Sequence, residues 1–258
     1  FKASQDKYTV EIQQQPTKGF TSNVYTAVVN GVGPDIIFNY ASEASKYVSA
    51  GLVANLDEYI YDEEIGIENF DEQLPEYLFS EINGFEDGHT HYLPGATTGP
   101  ILYYNKTLFD KKGIAYPEKI TWDEYRELAK QLTYEEDGTQ YWGGFLADWL
   151  GTPLSAYQRG SNLLDDDLSA IKEWVSIWND VMNVDKTHMS FAQQTAESID
   201  WLKFFCLGTT GMLINGEWTI SMLKDYQAQG IELPDWDVTY LPAFDTTGDI
   251  VSPGGLST

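Results

Sequence analysis

The chain has 258 residues, 42% hydrophobic and 14% aromatic, enough for one large or two small domains with a sizeable core. Its 40 acidic and 15 basic residues give a formal net charge of −25, which disfavours nucleic acid and anionic membrane surfaces and favours a neutral or cationic partner. No apolar run approaches the roughly 20 residues of a membrane helix, and the single cysteine, Cys206, excludes an internal disulfide.

In chain order, Tyr8 to Ile12 alternates like a half-buried strand. Thr21 to Val29 has helical apolar spacing and ends at Gly31-Val32-Gly33-Pro34. Asp35 to Tyr40 reads as a short buried strand, and Ala41 to Ala50 as a helix stopped by Gly51. Strand, helix, strand, helix is the pattern of an α/β layer with parallel strands. After an acidic linker, Leu74 to Phe79 is a short helical patch. Asp87 to Phe109 is the stretch on which the organisation turns. A β-prone run (His89 to Leu93) breaks at Pro94-Gly95, passes Ala96-Thr97-Thr98-Gly99-Pro100, and resumes as the apolar run Ile101 to Tyr104. Small residues and prolines between two strand-like runs predict a chain leaving one sheet for another, a hinge beside a cleft.

Beyond it, Asn105 to Gly113 is a short helix. Thr121-Trp122-Asp123-Glu124 is a capping box opening a helix to about Leu132. Asp137-Gly138 turns into a strand, Gln140 to Phe145. Leu168 to Val184 is a long amphipathic helix with Ile171, Trp174, Val175, Trp178 and Val181 on one face. Ser190 to Phe205 holds further helix. Gly211 to Ile214 is a strand ending in Asn215-Gly216-Glu217-Trp218, Thr219 to Tyr226 a helix, and Asp237 to Pro242 a strand placed to return through the hinge. All eight tryptophans lie between Trp122 and Trp236, which sets the later region apart as a second lobe.

Metal and nucleophilic chemistry find little support. His89 and His91 would share one face of a strand, but no third ligand lies nearby and a metal needs three or four. Asp165-Asp166-Asp167 lacks the spacing of a calcium loop and reads as a solvated turn. There is no nucleophile elbow, Cys-His pattern or phosphate-binding loop. Cys206 lies in an apolar run and reads as a core thiol. Carboxylate pairs suited to glycoside hydrolysis are compatible with so acidic a chain, so a glycan-processing enzyme remains the alternative. Polar and aromatic residues cluster instead at strand ends, where open α/β sheets bind ligands: Phe38-Asn39-Tyr40, Thr97-Thr98-Gly99 and Asn215-Gly216-Glu217-Trp218, with Trp149 and Tyr157 in the loop after Phe145. Such a set suits a sugar, whose C–H face covers an indole and whose hydroxyls pair with Asn, Asp or Glu. Trp174, Trp178 and Trp201 lie on apolar helix faces and are assigned to the core.

Several stretches, in order, resemble the extracellular solute-binding proteins of ABC importers, in particular the carbohydrate-binding family that includes maltose-binding protein. They are Gly33-Pro34-Asp35-Ile36-Ile37-Phe38, Ala50-Gly51-Leu52, Tyr103-Tyr104-Asn105-Lys106 with Leu108-Phe109, Thr121-Trp122-Asp123-Glu124, Gly208 to Trp218, and Val238-Thr239-Tyr240-Leu241-Pro242. The resemblance implies a type II periplasmic-binding-protein-like α/β fold with two lobes joined by hinge strands. Residues 1–97 would form part of lobe 1, 98–240 lobe 2, and 241–258 the return to lobe 1. The family's first strand and C-terminal helices are expected outside this chain, as part of a longer protein.

The resemblance further implies a binding protein rather than an enzyme, with no cofactor and no metal. Its ligand would be a carbohydrate, an oligosaccharide by the abundance of aromatics, with a non-sugar solute as a further alternative. Asn39 and Tyr40 would contribute from lobe 1, Thr98 at the hinge, and Trp149, Tyr157 and Trp218 from lobe 2; Glu217 joins this expected ligand-binding set from the strand-end stretch it shares with Trp218. Trp218 falls at a family position that stacks on sugar. The expected partners are the transmembrane subunits of a permease, and no nucleic acid. The protein is expected to be a monomer, in the periplasm or lipid-anchored at the outer face of the membrane.

Overall fold

The computed structural model describes residues 3, 6–16, 19–64, 66–73, 87–147, 150, 157–161, 163–197, 201–247 and 255–257. The chain divides into two compact units, Phe1–Thr97 with Gly255–Thr258, and Thr98–Gly254.

In the first unit, α1 (Phe20–Val29) buries Val24, and α2 (Ala41–Ser49) buries Ala44 and Tyr47 three residues apart on one face. Tyr25 meets Tyr47 edge-on at 5.4 Å. Two short helices follow, α3 (Asp57–Ile60) and α4 (Phe70–Gln73). The helical patch expected at Leu74 to Phe79 lies outside the described residues. The segment after Asp87 is pinned to α3 rather than paired as a strand. Asp57 accepts from the Thr90 N–H at 2.9 Å, His89 Nδ1 lies 2.7 Å from the same carboxylate, and the Leu56 N–H donates to the Thr90 carbonyl at 2.8 Å. The Thr90 amide, then the His89 ring, hold the Asp57 carboxyl below its usual range. His91 Nε2 lies 2.8 Å from Asp87, so the two histidines serve separate carboxylates. A two-stranded sheet joins β1 (Ala96–Thr98) to a last strand at Gly255–Ser257.

Two expected strands are not strands. Residues 8–12 and 35–39 are irregular, with Ile12 82% and Ile36 87% exposed. Alternating or apolar sequence makes a strand only when a neighbour takes its N–H and C=O groups. Among the described residues no strand flanks either stretch beyond a single bridge at Tyr40.

The second unit is built on a five-stranded mixed sheet. Its strands are β2 (Pro100–Asn105), β3 (Tyr134–Glu136), β4 (Thr139–Leu146), β5 (Thr210–Gly216) and β6 (Trp236–Thr239), in the order β3-β4-β5-β2-β6. β2 runs antiparallel to both β5 and β6, and β4 parallel to β5. The strand at Gly255–Ser257 is β7. Asp137 and Gly138, both with positive φ (49° and 77°), make the two-residue turn that joins β3 to β4. Asn105 caps α5 (Lys106–Lys112) by accepting from the Leu108 N–H, and Gly113 ends that helix at φ 66°. The capping box forms at the start of α6 (Trp122–Leu132), with Thr121 and Glu124 exchanging bonds.

Helix α7 (Ser169–Asn179) continues into a π-helical turn, Asp180–Val184. Its buried face is Ala170, Trp174, Ile177, Trp178 and Val181. The expected Val175 is 60% exposed, because α-helical geometry carries it off the stripe that Trp174 and Ile177 define. Then come α8 (Phe191–Ala196), with a second capping box from Ser190 and Gln193, α9 (Trp201–Cys206) and α10 (Thr219–Ala228). Of the stretch expected to return to the first lobe, residues 241–247 are described, and Leu241 to Phe244 pack on the second unit. Leu241 is in its core, and Ala243 bridges Thr121.

A buried polar chain crosses this core. The Tyr125 hydroxyl lies 2.7 Å from His188 Nε2, His188 Nδ1 2.9 Å from Thr187 Oγ1, and that hydroxyl donates to the Val181 carbonyl. Because the Thr187 proton is committed to a carbonyl, Nδ1–H must donate to Thr187 and Nε2 must accept from Tyr125. One neutral tautomer satisfies every group. Burial pushes the His188 pKa down to about 3. Gly144 leaves the room: a Cβ there would come within 2.3 Å of Nε2 and 2.5 Å of the Tyr125 hydroxyl.

As pH falls from 6.5 towards 3 the unfolded chain protonates this histidine and the folded chain does not, so stability is lost on acidification. Between pH 7 and pH 5 the wild type is expected to lose about 2 kcal/mol more than His188→Gln, read by urea unfolding at the two pH values. Equal losses would remove the buried neutral histidine.

Candidate ligand-binding site

The strand-end residues of the second unit come together where β5 leaves the sheet beside the start of β2. The ladder puts Pro100 opposite Gly216 and Ile101 opposite Asn215. One step further, the Glu217 N–H donates to the Gly99 carbonyl at 3.2 Å, and the Gly99 N–H donates to Glu217 Oε2 at 2.8 Å. The buried Tyr103 hydroxyl donates to the Gly216 carbonyl at 2.9 Å, and burial raises its pKa. The loop holding Trp218 is thereby tied to β2 by a side chain from each direction and by the main chain. Thr98 is half-buried beside Gly99, at the first residue of this unit.

Trp218, 38% exposed, lies against Gly216: a Cβ on that glycine would meet the six-membered ring of the indole at 2.0–2.3 Å. The ring can rest over the end of β5 because position 216 carries no side chain. Gly99 and Gly216 lie within the strand-end stretches that the sequence singles out, but their role as supports of the indole, and that of Tyr103, carries no signal in spacing or residue type.

Tyr157 is also in this unit, exposed on a short turn after residues 151–156. Trp149 lies outside the described residues. Asn39 and Tyr40 belong to the first unit, immediately before α2. Tyr40 is 57% exposed. Asn39 is only 4% exposed, its Oδ1 accepts from the Tyr40 N–H at 2.9 Å, and its Nδ2 finds no acceptor among the described residues.

Among the described residues no group of three or more His, Cys, Asp or Glu side chains is placed to hold a metal ion, and no helix is long and apolar enough to cross a membrane.

Residues 1–256 match the family of bacterial extracellular solute-binding proteins, and the chain belongs to that family. A Brucella abortus protein named as a binding protein is 25% identical over 241 residues, 87% of this chain and 54% of its own length. An ABC substrate-binding protein of Listeria monocytogenes, solved in complex with cycloalternan, superposes with a TM-score of 0.74 at 21% identity, over 95% of this chain and 62% of that one. The maltose/maltodextrin-binding domain of Bdellovibrio bacteriovorus bound to maltotriose gives 0.66 at 20% identity, over 99% and 65%. These likenesses establish the type II periplasmic-binding-protein-like α/β fold. The chain spans about half the length of the curated relatives it matches.

Gly216→Ala is expected to force the Trp218 ring off the strand and to lower stability by roughly 1–3 kcal/mol, the range for overpacking a filled site. Urea unfolding followed by near-ultraviolet circular dichroism reads both effects. An unchanged spectrum and midpoint would mean that the indole does not rest on Gly216.

Proposed function

We propose that this chain is the ligand-capturing part of the substrate-binding component of an ABC importer. Its cargo is a carbohydrate, an oligosaccharide in preference to a monosaccharide, which it presents to the transmembrane subunits of a permease from the periplasm or from a lipid anchor at the outer face of the membrane. The observation that carries the reading is the Trp218 indole, held over Gly216 at a strand end with 38% of the residue exposed. An exposed, braced indole offers an apolar face to the C–H face of a sugar ring. Membership of the solute-binding family and solved relatives holding cycloalternan and maltotriose support the same ligand class.

In this reading Trp218 is the stacking surface. Asn39, with an amide donor lacking an acceptor among the described residues, and Tyr40 supply contacts from the first unit. Thr98, Trp149 and Tyr157 complete the set. Ligand held by both units would favour a closed state, by no more than the difference in affinity between the open and closed forms.

The test is a thermal-shift screen of the full-length protein against mono- and oligosaccharides, since a ligand that binds only the folded state raises the midpoint. The expected result is a shift with one oligosaccharide class and no product over hours. Release of reducing sugar would overturn the reading in favour of a glycan-processing enzyme, and no shift with any sugar would assign another solute. Trp218→Ala is expected to weaken binding of the shifting sugar by roughly 1–3 kcal/mol, one aromatic contact with its burial. Unchanged affinity in a folded variant, read by calorimetric titration, would take Trp218 out of the site.

A further inference from the structure

Glu217 sits where the β2–β5 ladder meets the start of α10, and its main chain cannot serve both. Gly99 and Glu217 are the next opposed pair after Pro100 and Gly216. In an antiparallel pair that exchanges bonds, each residue donates its N–H to the other's carbonyl. Half of that exchange is present: the Glu217 N–H donates to the Gly99 carbonyl at 3.2 Å. The other half is not, because the Glu217 carbonyl has turned into the helix and accepts from the Ile220 N–H at 3.0 Å. The Gly99 N–H would be left over. It donates instead to Glu217 Oε2 at 2.8 Å, so the side chain replaces the carbonyl that the helix has taken. A bond to a carboxylate is stronger than the neutral one it replaces.

We infer that Glu217 is a positioning residue: its side-chain acceptor lets the chain leave the sheet at residue 217 while keeping the next residue, Trp218, locked to the β2 margin through Gly99. The inference rests on the reading of Trp218 as the stacking surface for its consequence on binding, although the lock itself does not. The requirement is for an acceptor of this length at position 217. It is not for a negative charge facing ligand. Glutamine meets it through Oε1 and alanine does not, and losing it strands the Gly99 N–H. Gly99 is the second residue of the second unit, so the aromatic surface is fastened next to the point where the chain passes between units.

The experiment uses protein labelled with 15N at glycine and at the tryptophan indole, with Gly99 and Trp218 assigned by single substitution. In Glu217→Gln the Gly99 amide is expected to exchange within threefold of the wild-type rate, and the Trp218 indole resonance to keep its position. In Glu217→Ala the exchange is expected to quicken more than tenfold and the resonance to move, with the other indole resonances unchanged. Alanine matching the wild type would overturn the inference. So would glutamine behaving as alanine does, since charge and not the acceptor would then be required. The sugar that raises the wild-type midpoint is expected to bind the glutamine variant within threefold and the alanine variant at least tenfold more weakly. Equal losses in both would make Glu217 a ligand contact and overturn the positioning role. If no sugar shifts the wild type, the binding reading falls, and the exchange rates still decide the lock.

Discussion

The antiparallel pairing of β2 with β5 is the constraint from which the second unit is built. All seven residues of β5 are buried, and so are five of the six in β2. Strands this deep have no water to satisfy their backbones, so each needs a partner on both sides. β4 and β6 supply them, giving the order β4-β5-β2-β6. The side chains follow: Leu102, Tyr103, Met212, Leu213 and Ile214 occupy the centre of the core, and α6, α7 and α9 cover it with Trp122, Tyr125, Trp174, Trp178 and Phe205. Because this pair defines the layer, the residues at its end inherit a fixed geometry. Gly99, Gly216, Glu217 and Trp218 sit there for that reason.

The same layer commits several of the polar groups in its interior to defined partners. Asn105 is fully buried, accepts from the Leu108 N–H as a helix cap, and donates through Nδ2 towards the Gly208 and Thr210 carbonyls. Tyr125, His188 and Thr187 form a chain with one proton arrangement. On the adjoining surface Arg126 spans Asp180 and Asp185, joining α6 to both sides of the π-helical turn at 2.8–3.0 Å. A π turn carries an extra residue and a locally widened helix. A planar guanidinium that meets two carboxylates suits such a site, because one rigid group spans the widened turn.

Local chemistry was the legible part of the sequence. Thr121 with Glu124, Asn105, Asp137-Gly138 and Gly113 each act within four residues, and the elements they bound begin and end where those residues stand. What depended on a distant partner was not legible. Residues 8–12 and 35–39 carry strand-like patterns, yet pattern cannot say whether a neighbouring strand is present to pair with them. His89 to Leu93 reads as β-prone, but Asp57, more than thirty positions away, takes the Thr90 N–H and holds the segment irregular. The candidate site divides in the same way. The aromatic at 218 stood out by type and position. Its supports did not, because Gly99 and Gly216 act through a main-chain N–H and an absent side chain, neither of which has a pattern to find.

The contrast between Trp218 and Tyr40 follows from this difference in support. Trp218 is fastened through Glu217 to β2 and rests on a glycine at the end of a fully buried strand, so little ordering remains to be done when a ligand arrives. Conformational entropy already lost on folding is not lost again on binding. Tyr40 is exposed, precedes a nine-residue helix, and is fixed at its amide by its own neighbour, Asn39. A braced indole and a more adaptable phenol therefore differ in how much conformational freedom each still has to lose.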